Sequence, residues 1–488
     1  MPPSTLQTPP SAPATRLPEA LAVPRRAWLS LRLSERKVLL YTADVCAVCL
    51  ALLVILAIRF RLPWGWQTIA DHPVWFGLLV GLWTASAPLL NAYDLRVAAN
   101  VSSGVGRVVA VALVVAAIFL SIPYVTPPLH SSRLTASGFI LLMMVLTAVG
   151  RIGYARLLVQ PTFRHRVLIV GAGWAGRSLV EAVRTHADAE YELAGLIDDD
   201  LSRQGEVVDG LAVLGTSQDL TRLVEELGVS EVIIAITRHE TMAGSLVAAL
   251  MDCREQGIQV TVMQAVYERL TGRVPVEHAG RSLHLVLPAD RELSRVYLLL
   301  KRMGDLLIGL LGTAATALLL PLVGVALRLE GSGPILYRQV RVGRGGRPFV
   351  LFKFRTMVPN AEAAGPQWAQ VEDRRVTRVG HVLRLLHLDE VPQSINVLRG
   401  EMSFIGPRPE RPEFVDRLAS EIPFYRVRHA MRPGVTGWAQ VNYRYGRSTT
   451  DALVKLQYDL YYIKHCSPFL DTLILVRTLG LVLTLRNR

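Results

Sequence analysis

The residues best suited to chemistry lie in the last third of the chain. Asp389 and Glu390 stand side by side at the end of an apolar, helix-like stretch and run into a proline, as Asp389-Glu390-Val391-Pro392. Arg384 precedes Asp389 by five residues, just over one helical turn. Arg408 sits in a Gly-Pro-Arg-Pro turn, where the prolines restrict the backbone and so aim the side chain. Upstream, GSGPILYRQVRVGRGGRPFVLFKFRTM (331–357) is dominated by Gly and Arg and closes in a short strand carrying Lys353 and Arg355. Exposed backbone amides and guanidinium forks of this sort bind phosphate oxygens. Arg432-Pro433-Gly434 adds a rigid basic turn. Two carboxylates among cations suggest a phosphate and metal site, not a glycosidase pair. An aspartate can attack phosphorus to form an acyl phosphate when arginines and Mg²⁺ neutralise the phosphoryl charge. The neighbouring glutamate suits that Mg²⁺, which takes one or two carboxylates plus substrate phosphates. Solvated acids at a helix end would give the same short string, so the pair alone does not decide the chemistry.

A second constellation lies in mid-chain. HRVLIVGAGWAGRSLVEAVR reads as strand, tight turn and helix, and Gly171, Gly173 and Gly176 form a GxGxxG within it. A second strand, YELAGLIDDD, ends at Asp198. Such glycines let backbone approach a pyrophosphate at a helix N-terminus, and Asp198 is placed to accept from a ribose hydroxyl. No Tyr-xxx-Lys pair or other catalytic set accompanies them. A membrane-tethered nucleotide-sugar oxidoreductase or epimerase, or a non-enzymatic nucleotide sensor, would place its function here.

The elements that must hold these residues follow from composition. The chain has 488 residues, a formal charge of +13, 51% hydrophobic residues and only 19% charged ones. That excludes disorder, a collagen and a disulfide scaffold, and it points to membrane segments. Residues 1–37 are expected as a disordered tail rich in Pro, Ser, Thr and Ala. Four apolar runs (38–58, 73–92, 105–123 and 134–150) predict a transmembrane domain over 38–160. Cys46 and Cys49 lie inside the first run and read as lipid-phase packing. Basic flanks before the first run and after the fourth put both ends of this block in the cytoplasm. Alternating strands and helices predict a Rossmann-like parallel-sheet domain over 164–290. A fifth apolar run, about 303–327, has positive residues on both sides and Pro321 inside, which fits a broken helix that dips in and returns; a straight span is the alternative and would put the basic last third outside the cell. The remainder of 298–488 is the candidate catalytic domain. The basic excess lies at both ends of the chain and the middle domain is acidic, so an anionic partner is expected for the last third and nucleic acid is not. Tyr458, Tyr461 and Tyr462 at helical spacing are candidates to seat the domain at a membrane interface, whereas Trp438 reads as core. The last apolar stretch, 467–485, reads as a surface or packing helix rather than another span.

The last third resembles the monotopic phosphoglycosyl transferases, also called polyprenyl-phosphate sugar-1-phosphate transferases. The strings that carry the likeness are KRMGD (301–305), GPILYRQVRVG (333–343), FKFRTM (352–357), RVTRVGHVLR (375–384), LDEVPQSINVLRGEMSFIGPRPE (388–410), RPGVTGWAQVN (432–442) and YDLYYIKH (458–465). With four spans and a nucleotide-fold, CoA-binding-like domain ahead of it, the chain looks like the long form that starts exopolysaccharide or capsule synthesis. The resemblance implies transfer of a hexose 1-phosphate from a UDP-sugar to undecaprenyl phosphate, with glucose first and galactose as the alternative, and release of UMP. It implies Asp389 as nucleophile, Glu390 as Mg²⁺ ligand and Arg384 and Arg408 as phosphate holders. By residue type, Lys353 and Arg355 are candidates to meet the nucleotide diphosphate, with lipid headgroups as the alternative, and the Arg432 turn is expected near the nucleotide. Pro321 matches the break of a re-entrant helix. The implied site is the cytoplasmic face of the bacterial inner membrane, in contact with its lipid, and the four-helix block is a candidate homodimer surface. Two departures from the family pattern are Leu386-His387 before the dyad and Gln457 before Tyr458.

Overall fold

A computed structural model describes residues 33–122, 124–129, 132–157, 164–188, 190–236, 244–276, 294–359, 361, 365, 373–443 and 448–483. The tail up to residue 32 lies outside the described residues. So does 277–293, including the end of the expected middle domain. The chain divides into two compact units: one contains the parallel sheet and ends at Met263, and the other combines Ser34–Leu158 with Gln264–Arg488.

In the larger unit the N-terminal apolar runs form α1 (Leu33–Phe60), α2 (Pro73–Leu89), α3 (Val101–Ser121) and α4 (Arg133–Leu157). The first helix therefore starts inside the stretch expected as tail. α1, α3 and α4 are long and apolar enough to cross a membrane, whereas α2 has 17 residues. At about 1.5 Å per residue α2 spans roughly 26 Å, just short of a typical hydrocarbon core. Asn100 starts α3 by accepting from the backbone N–H groups of Ser102 and Ser103. Leu52, Trp83, Phe119, Phe139 and Met143 meet in the core of the block. Asp44 and Arg151 form an ion pair of 2.8 Å there, both almost fully buried.

In the smaller unit the strands are β1 (His165–Val170), β2 (Tyr191–Ile197), β3 (Val207–Val208), β4 (Leu211–Gly215), β5 (Glu231–Ile234) and β6 (Gln259–Val262), in sheet order β3-β4-β2-β1-β5-β6. Every described pairing except β3–β4 is parallel. A parallel-sheet domain is therefore present as expected: the central β1 is buried along nearly its whole length, which its run of Val, Leu and Ile requires. α5 (Trp174–His186) follows β1 through the glycine turn. Gly171 has φ +113°, and a β-carbon there would lie 2.8 Å from the Ala235 carbonyl oxygen. α6 (Leu220–Leu227) buries Leu220, Leu223, Val224 and Leu227 as one stripe, and α7 (Gly244–Glu255) precedes β6.

The larger unit resumes with α8 (Met263–Thr271) and α9 (Arg295–Glu330). α9 is assigned as one helix of 36 residues with Pro321 inside it, so the run expected as two arms of a hairpin is continuous in secondary structure. Then come an antiparallel hairpin of β7 (Leu336–Val342) and β8 (Pro348–Phe354), α10 (Arg378–Leu385), a 3₁₀ turn (Leu388–Gln393) and α11 (Ser394–Arg399). β9 (Ser403–Ile405) and β10 (Gly434–Thr436) pair in parallel, and α12 (Thr449–His465) and α13 (Pro468–Leu483) close the unit.

Polar residues of α9 pin it to this unit. Lys301 donates to Asp471 on α13 and Arg302 to the Val397 and Leu398 carbonyls at the end of α11. Asp305 accepts from the Ser403 hydroxyl and the Phe404 amide at β9. At the other end of α9, Val323 and Leu327 pack on Phe354 and Leu383. The tyrosines of α12 differ from expectation: Tyr458 and Tyr462 are 6% and 1% exposed and belong to the core with Trp438, and the Tyr462 hydroxyl donates to Asp471. Tyr461 is only partly buried and packs against the same core. α13 has 16 residues, buries Leu470 and Ile474, and packs against α2, where Arg477 reaches Asn91.

Candidate active site

The acidic pair sits where α10 stops. His387 adopts a left-handed backbone, φ 56°, and redirects the chain from α10 into the 3₁₀ turn that carries Asp389, Glu390 and Pro392. Asp389 is 8% exposed, lines a cavity of about 940 Å³, and its carboxylate has no hydrogen-bond partner among the described residues. Glu390 is held differently. Its Oε1 accepts from Lys353 Nζ at 2.8 Å and from Arg408 Nη2 at 2.7 Å. Both donors use the same oxygen, which leaves Oε2 without a partner among the described residues.

These two environments push the acids apart. Burial, reinforced by the charge of Glu390, raises the Asp389 carboxyl above the usual aspartate range. Burial would raise Glu390 too, but Arg408 and Lys353 together outweigh it and hold Glu390 well below the usual range. Glu390 raises Arg408 in return, while burial lowers Lys353. The glutamate is thus held as a paired anion while the aspartate is an unengaged carboxyl, a difference set by environment rather than by residue type.

Distant segments hold the cations. Lys353 lies on β8, and Asn396, fully buried on α11, locks that strand. Its amide nitrogen donates to the Val350 carbonyl at 2.7 Å and its oxygen accepts from the Phe352 amide at 3.2 Å. Arg408 depends on the meeting of two glycine-bearing turns. A β-carbon on Gly406 or Gly434 would collide with backbone of the other turn, so only glycine lets β9 and β10 approach here. Arg428 then fixes the turn by donating to the Arg408 carbonyl at 3.0 Å, while it pairs with Asp459 at 2.7 Å and with the Tyr425 hydroxyl. Arg341 donates to the Pro409 carbonyl. Arg384 lines the same cavity, its Nε donating to the Thr356 hydroxyl at 2.9 Å. Asn396, Arg428 and Asp459 were not singled out in the sequence. Asn396 and Asp459 lie inside the quoted strings, but nothing in spacing marks their contacts.

Two expected phosphate ligands are placed otherwise. Arg355 reaches the cavity wall, but its terminal nitrogens donate to the Leu327, Gly331 and Ser332 carbonyls. It caps the C-terminus of α9, whose last carbonyls lack partners of their own. The Arg432 guanidinium lies beside Gly400 and does not line the cavity with the dyad. In the sheet unit Gly171, Gly173 and Gly176 form the turn as expected. Asp198, however, turns back to it: its Oδ2 accepts from the Ala172 amide at 2.8 Å and lies 3.6 Å from Arg203.

A basic cavity with an unengaged aspartate is the setting for the comparison with known proteins. Residues 296–485 match the family described as bacterial sugar transferase, and residues 88–262 match one described as CoA-binding domain. The chain is 42% identical over 255 residues to the UDP-N-acetylgalactosamine-undecaprenyl-phosphate N-acetylgalactosaminephosphotransferase of Aeromonas hydrophila, over 52% of this chain and 59% of that one. It thus spans less than two thirds of that relative. It is 42% identical over 218 residues to the UDP-glucose:undecaprenyl-phosphate glucose-1-phosphate transferase of Caulobacter vibrioides, over 44% of this chain and 81% of that one. It is 31% identical over 475 residues to the undecaprenyl-phosphate glucose phosphotransferase of Komagataeibacter xylinus, over 91% of this chain and 84% of that one. With motif, site geometry and near full-length likeness in agreement, the chain belongs to the bacterial undecaprenyl-phosphate sugar phosphotransferases, a family of membrane-associated transferases.

Proposed function

We propose that the protein transfers glucose 1-phosphate from UDP-glucose to undecaprenyl phosphate through a covalent aspartyl-phosphosugar, at the cytoplasmic face of the bacterial inner membrane, to begin an exopolysaccharide or capsule repeat unit. One observation carries this reading: a buried, unengaged Asp389 in a large basic cavity beside a glutamate whose charge two cations hold. In the first step a carboxylate oxygen of Asp389 bonds to the sugar-bearing phosphorus. The bond from that phosphorus to the bridging oxygen breaks, and UMP leaves with the electron pair. Arg384, Arg408 and Lys353 are placed to stabilise the charge that gathers on the phosphoryl oxygens. Glu390 fits a Mg²⁺ ligand, since Oε2 is uncommitted and Mg²⁺ binds through one or two carboxylates plus substrate phosphates. When bound there, the ion would add positive charge against the phosphates.

The same reading makes α9 re-entrant. Lys301 and Arg302 near its start and Leu327 near its end all bind one folded unit, which favours both ends of the apolar run on one membrane face. Glucose is preferred because the relative matching 91% of this chain is a glucose phosphotransferase. N-acetylgalactosamine is the second reading, since the Aeromonas relative is named for that sugar. Purified protein in nanodiscs, given radiolabelled UDP-glucose, undecaprenyl phosphate and Mg²⁺, should release UMP and label the lipid. Asp389→Asn should abolish both. Gly173→Ala should retain both, because its β-carbon would meet only Arg203, at 3.7 Å. Turnover by Asp389→Asn near that of the parent protein would remove the covalent route, and a panel of UDP-sugars would decide the hexose.

A further inference from the structure

Most of the cations that line the cavity of the acidic pair are already committed. Arg341 donates to Gln339 and the Pro409 carbonyl, Arg375 to Asp373, and Arg355 to the end of α9. Arg428 is paired with Asp459, and Lys353 and Arg408 with Glu390. Lys455 lines the same cavity, is half-buried, and makes no hydrogen bond or ion pair among the described residues. The two acids that act on it most are engaged elsewhere: Glu410 lies 3.7 Å from Arg341, and Asp459 lies 2.7 Å from Arg428. Burial lowers the Lys455 ammonium, Arg408 and Arg428 lower it further, and Glu410 and Asp459 offset them only in part. Its backbone is fixed by α12. Ser448, Ala452 and Lys455 stand at i, i+4 and i+7 and give the cavity one edge of this helix, while Leu456 and Leu460 are buried beside them. Both ends of the helix are anchored. Ser448 and Asp451 close a capping box at its start, and Lys464 and His465 hold Glu268 at its end.

We infer that Lys455 binds the leaving phosphate of the donor, the α-phosphate of a nucleoside diphosphate sugar, while the other phosphate is attacked at Asp389. The inference rests on the transferase reading above and adds a residue to it. Such a donor brings two adjacent phosphates into one cavity. Lys353, Arg384 and Arg408 are the cations that act on Asp389, so they serve the phosphorus under attack. Lys455 acts on Arg408's side of the cavity and is not among the charges that chiefly set Asp389 or Glu390, which places it one step further from the reacting oxygen. When the bond from the attacked phosphorus to the bridging oxygen breaks, that oxygen keeps the electron pair and the α-phosphate becomes a dianion. An ammonium without another acceptor donates to the oxygens that gain this charge, and no proton changes hands. In the second half-reaction UMP has already left. The lipid phosphate bonds to the phosphorus held on Asp389, the bond to the Asp389 oxygen breaks, and its electron pair returns to the carboxylate. No charge then grows at Lys455, so its contribution is confined to the first half.

The full chain in nanodiscs is loaded from UDP-glucose or UDP-N-acetylgalactosamine, radiolabelled in the sugar, without acceptor. Lys455→Ala is compared with the parent, and Lys455→Met replaces it should the alanine variant fail to fold. The loaded protein is then divided between UMP, which reverses the step, and undecaprenyl phosphate, which completes the transfer. The second-order rate constants for loading and for reversal should both fall, by one common factor of at least about tenfold. The factor is common because a side chain that touches only the departing nucleotide leaves the equilibrium between free and loaded protein unchanged. Transfer to the lipid should stay at the parent rate. Lys455→Arg should recover part of the loss. Arg426→Ala, which removes a cation 70% exposed and outside the cavity, should change none of the three rates. Loading by Lys455→Ala at the parent rate, or a fall in loading that reversal does not share, would overturn the inference. So would lipid transfer slowed as much as loading, or an equal loss in Arg426→Ala. A parent protein that takes label from neither sugar nucleotide would instead overturn the covalent transferase reading, so the two failures are told apart.

Discussion

Asp389 and Glu390 are adjacent and chemically alike, yet one is unengaged and the other doubly paired. The difference comes from Lys353 and Arg408, which both reach Glu390 Oε1 and neither of which bonds Asp389. Attack on phosphorus needs the Asp389 carboxylate ionised. Since burial raises this group, UMP release should fall as pH drops through a midpoint above the ordinary aspartate range, not at it. Arg408 works against that rise. Arg408→Gln should therefore move the acid limb to still higher pH, besides slowing the step about 10²–10³-fold through lost charge stabilisation. Single-turnover UMP release measured from pH 4 to 8 reads both effects, and a limb unmoved or moved to lower pH in Arg408→Gln would contradict the assignment.

At the scale of elements, the site is a meeting of β8, the 3₁₀ turn and the Gly-Pro-Arg-Pro turn, each held from behind. Asn396 serves β8 by bonding the backbone of Val350 and Phe352 as a neighbouring strand would. Asn396→Ala removes the side-chain partner of both groups, at a cost of about 0.5–1.5 kcal/mol for each hydrogen bond lost. Thermal unfolding should shift down, and kcat should fall more than stability explains, because Lys353 loses its strand. Asn396→Asp keeps the acceptor for Phe352 but sets a carboxylate oxygen against the Val350 carbonyl and the Glu401 carboxylate, both of which accept from Asn396 at 2.7 Å, and should destabilise at least as much as Asn396→Ala. Equal activity per folded molecule in all three proteins would show that β8 keeps its place without this side chain. The Arg428–Asp459 pair serves the other turn. It is buried, at 5% and 2% side-chain exposure, and breaking such a pair costs more than making it returns.

For the whole molecule, the length of α9 constrains how it can meet a bilayer. As a straight rod its 36 residues would run about 54 Å, far more than a hydrocarbon core about 30 Å thick needs. Its two ends nevertheless bind the same folded unit, and α13 of that unit packs on α2 of the N-terminal helices. Single cysteines at positions 294 and 332, in a background with Cys46, Cys49, Cys253 and Cys466 replaced, report the topology. Both should react with an impermeant maleimide in inverted vesicles and neither in intact spheroplasts. Reaction of the two from opposite sides would make α9 a span and separate the dyad from a cytoplasmic UDP-sugar. In the sheet unit, Asp198 accepts from the Ala172 amide at the glycine turn.

The amino-acid sequence by itself determined what is local and periodic. Apolar runs announce α1 to α4 and α9, alternating buried strands announce the sheet, and the strings around Asp389 and Arg408 announce the chemistry, since each signal is complete within a few tens of residues. Tertiary structure decided which donor meets which acceptor. Arg355 has the same residue type and neighbourhood as a phosphate ligand but is spent on the end of α9, and Arg432 turns to Gly400. Tyr458 and Tyr462 have the spacing of an interfacial belt but enter the core. The bonds that hold the site join Asn396 to β8, Arg428 to Asp459 and Glu390 to Lys353 across 31 to 46 positions. A side chain's partner at that separation depends on where the backbone returns, and no local pattern carries that information.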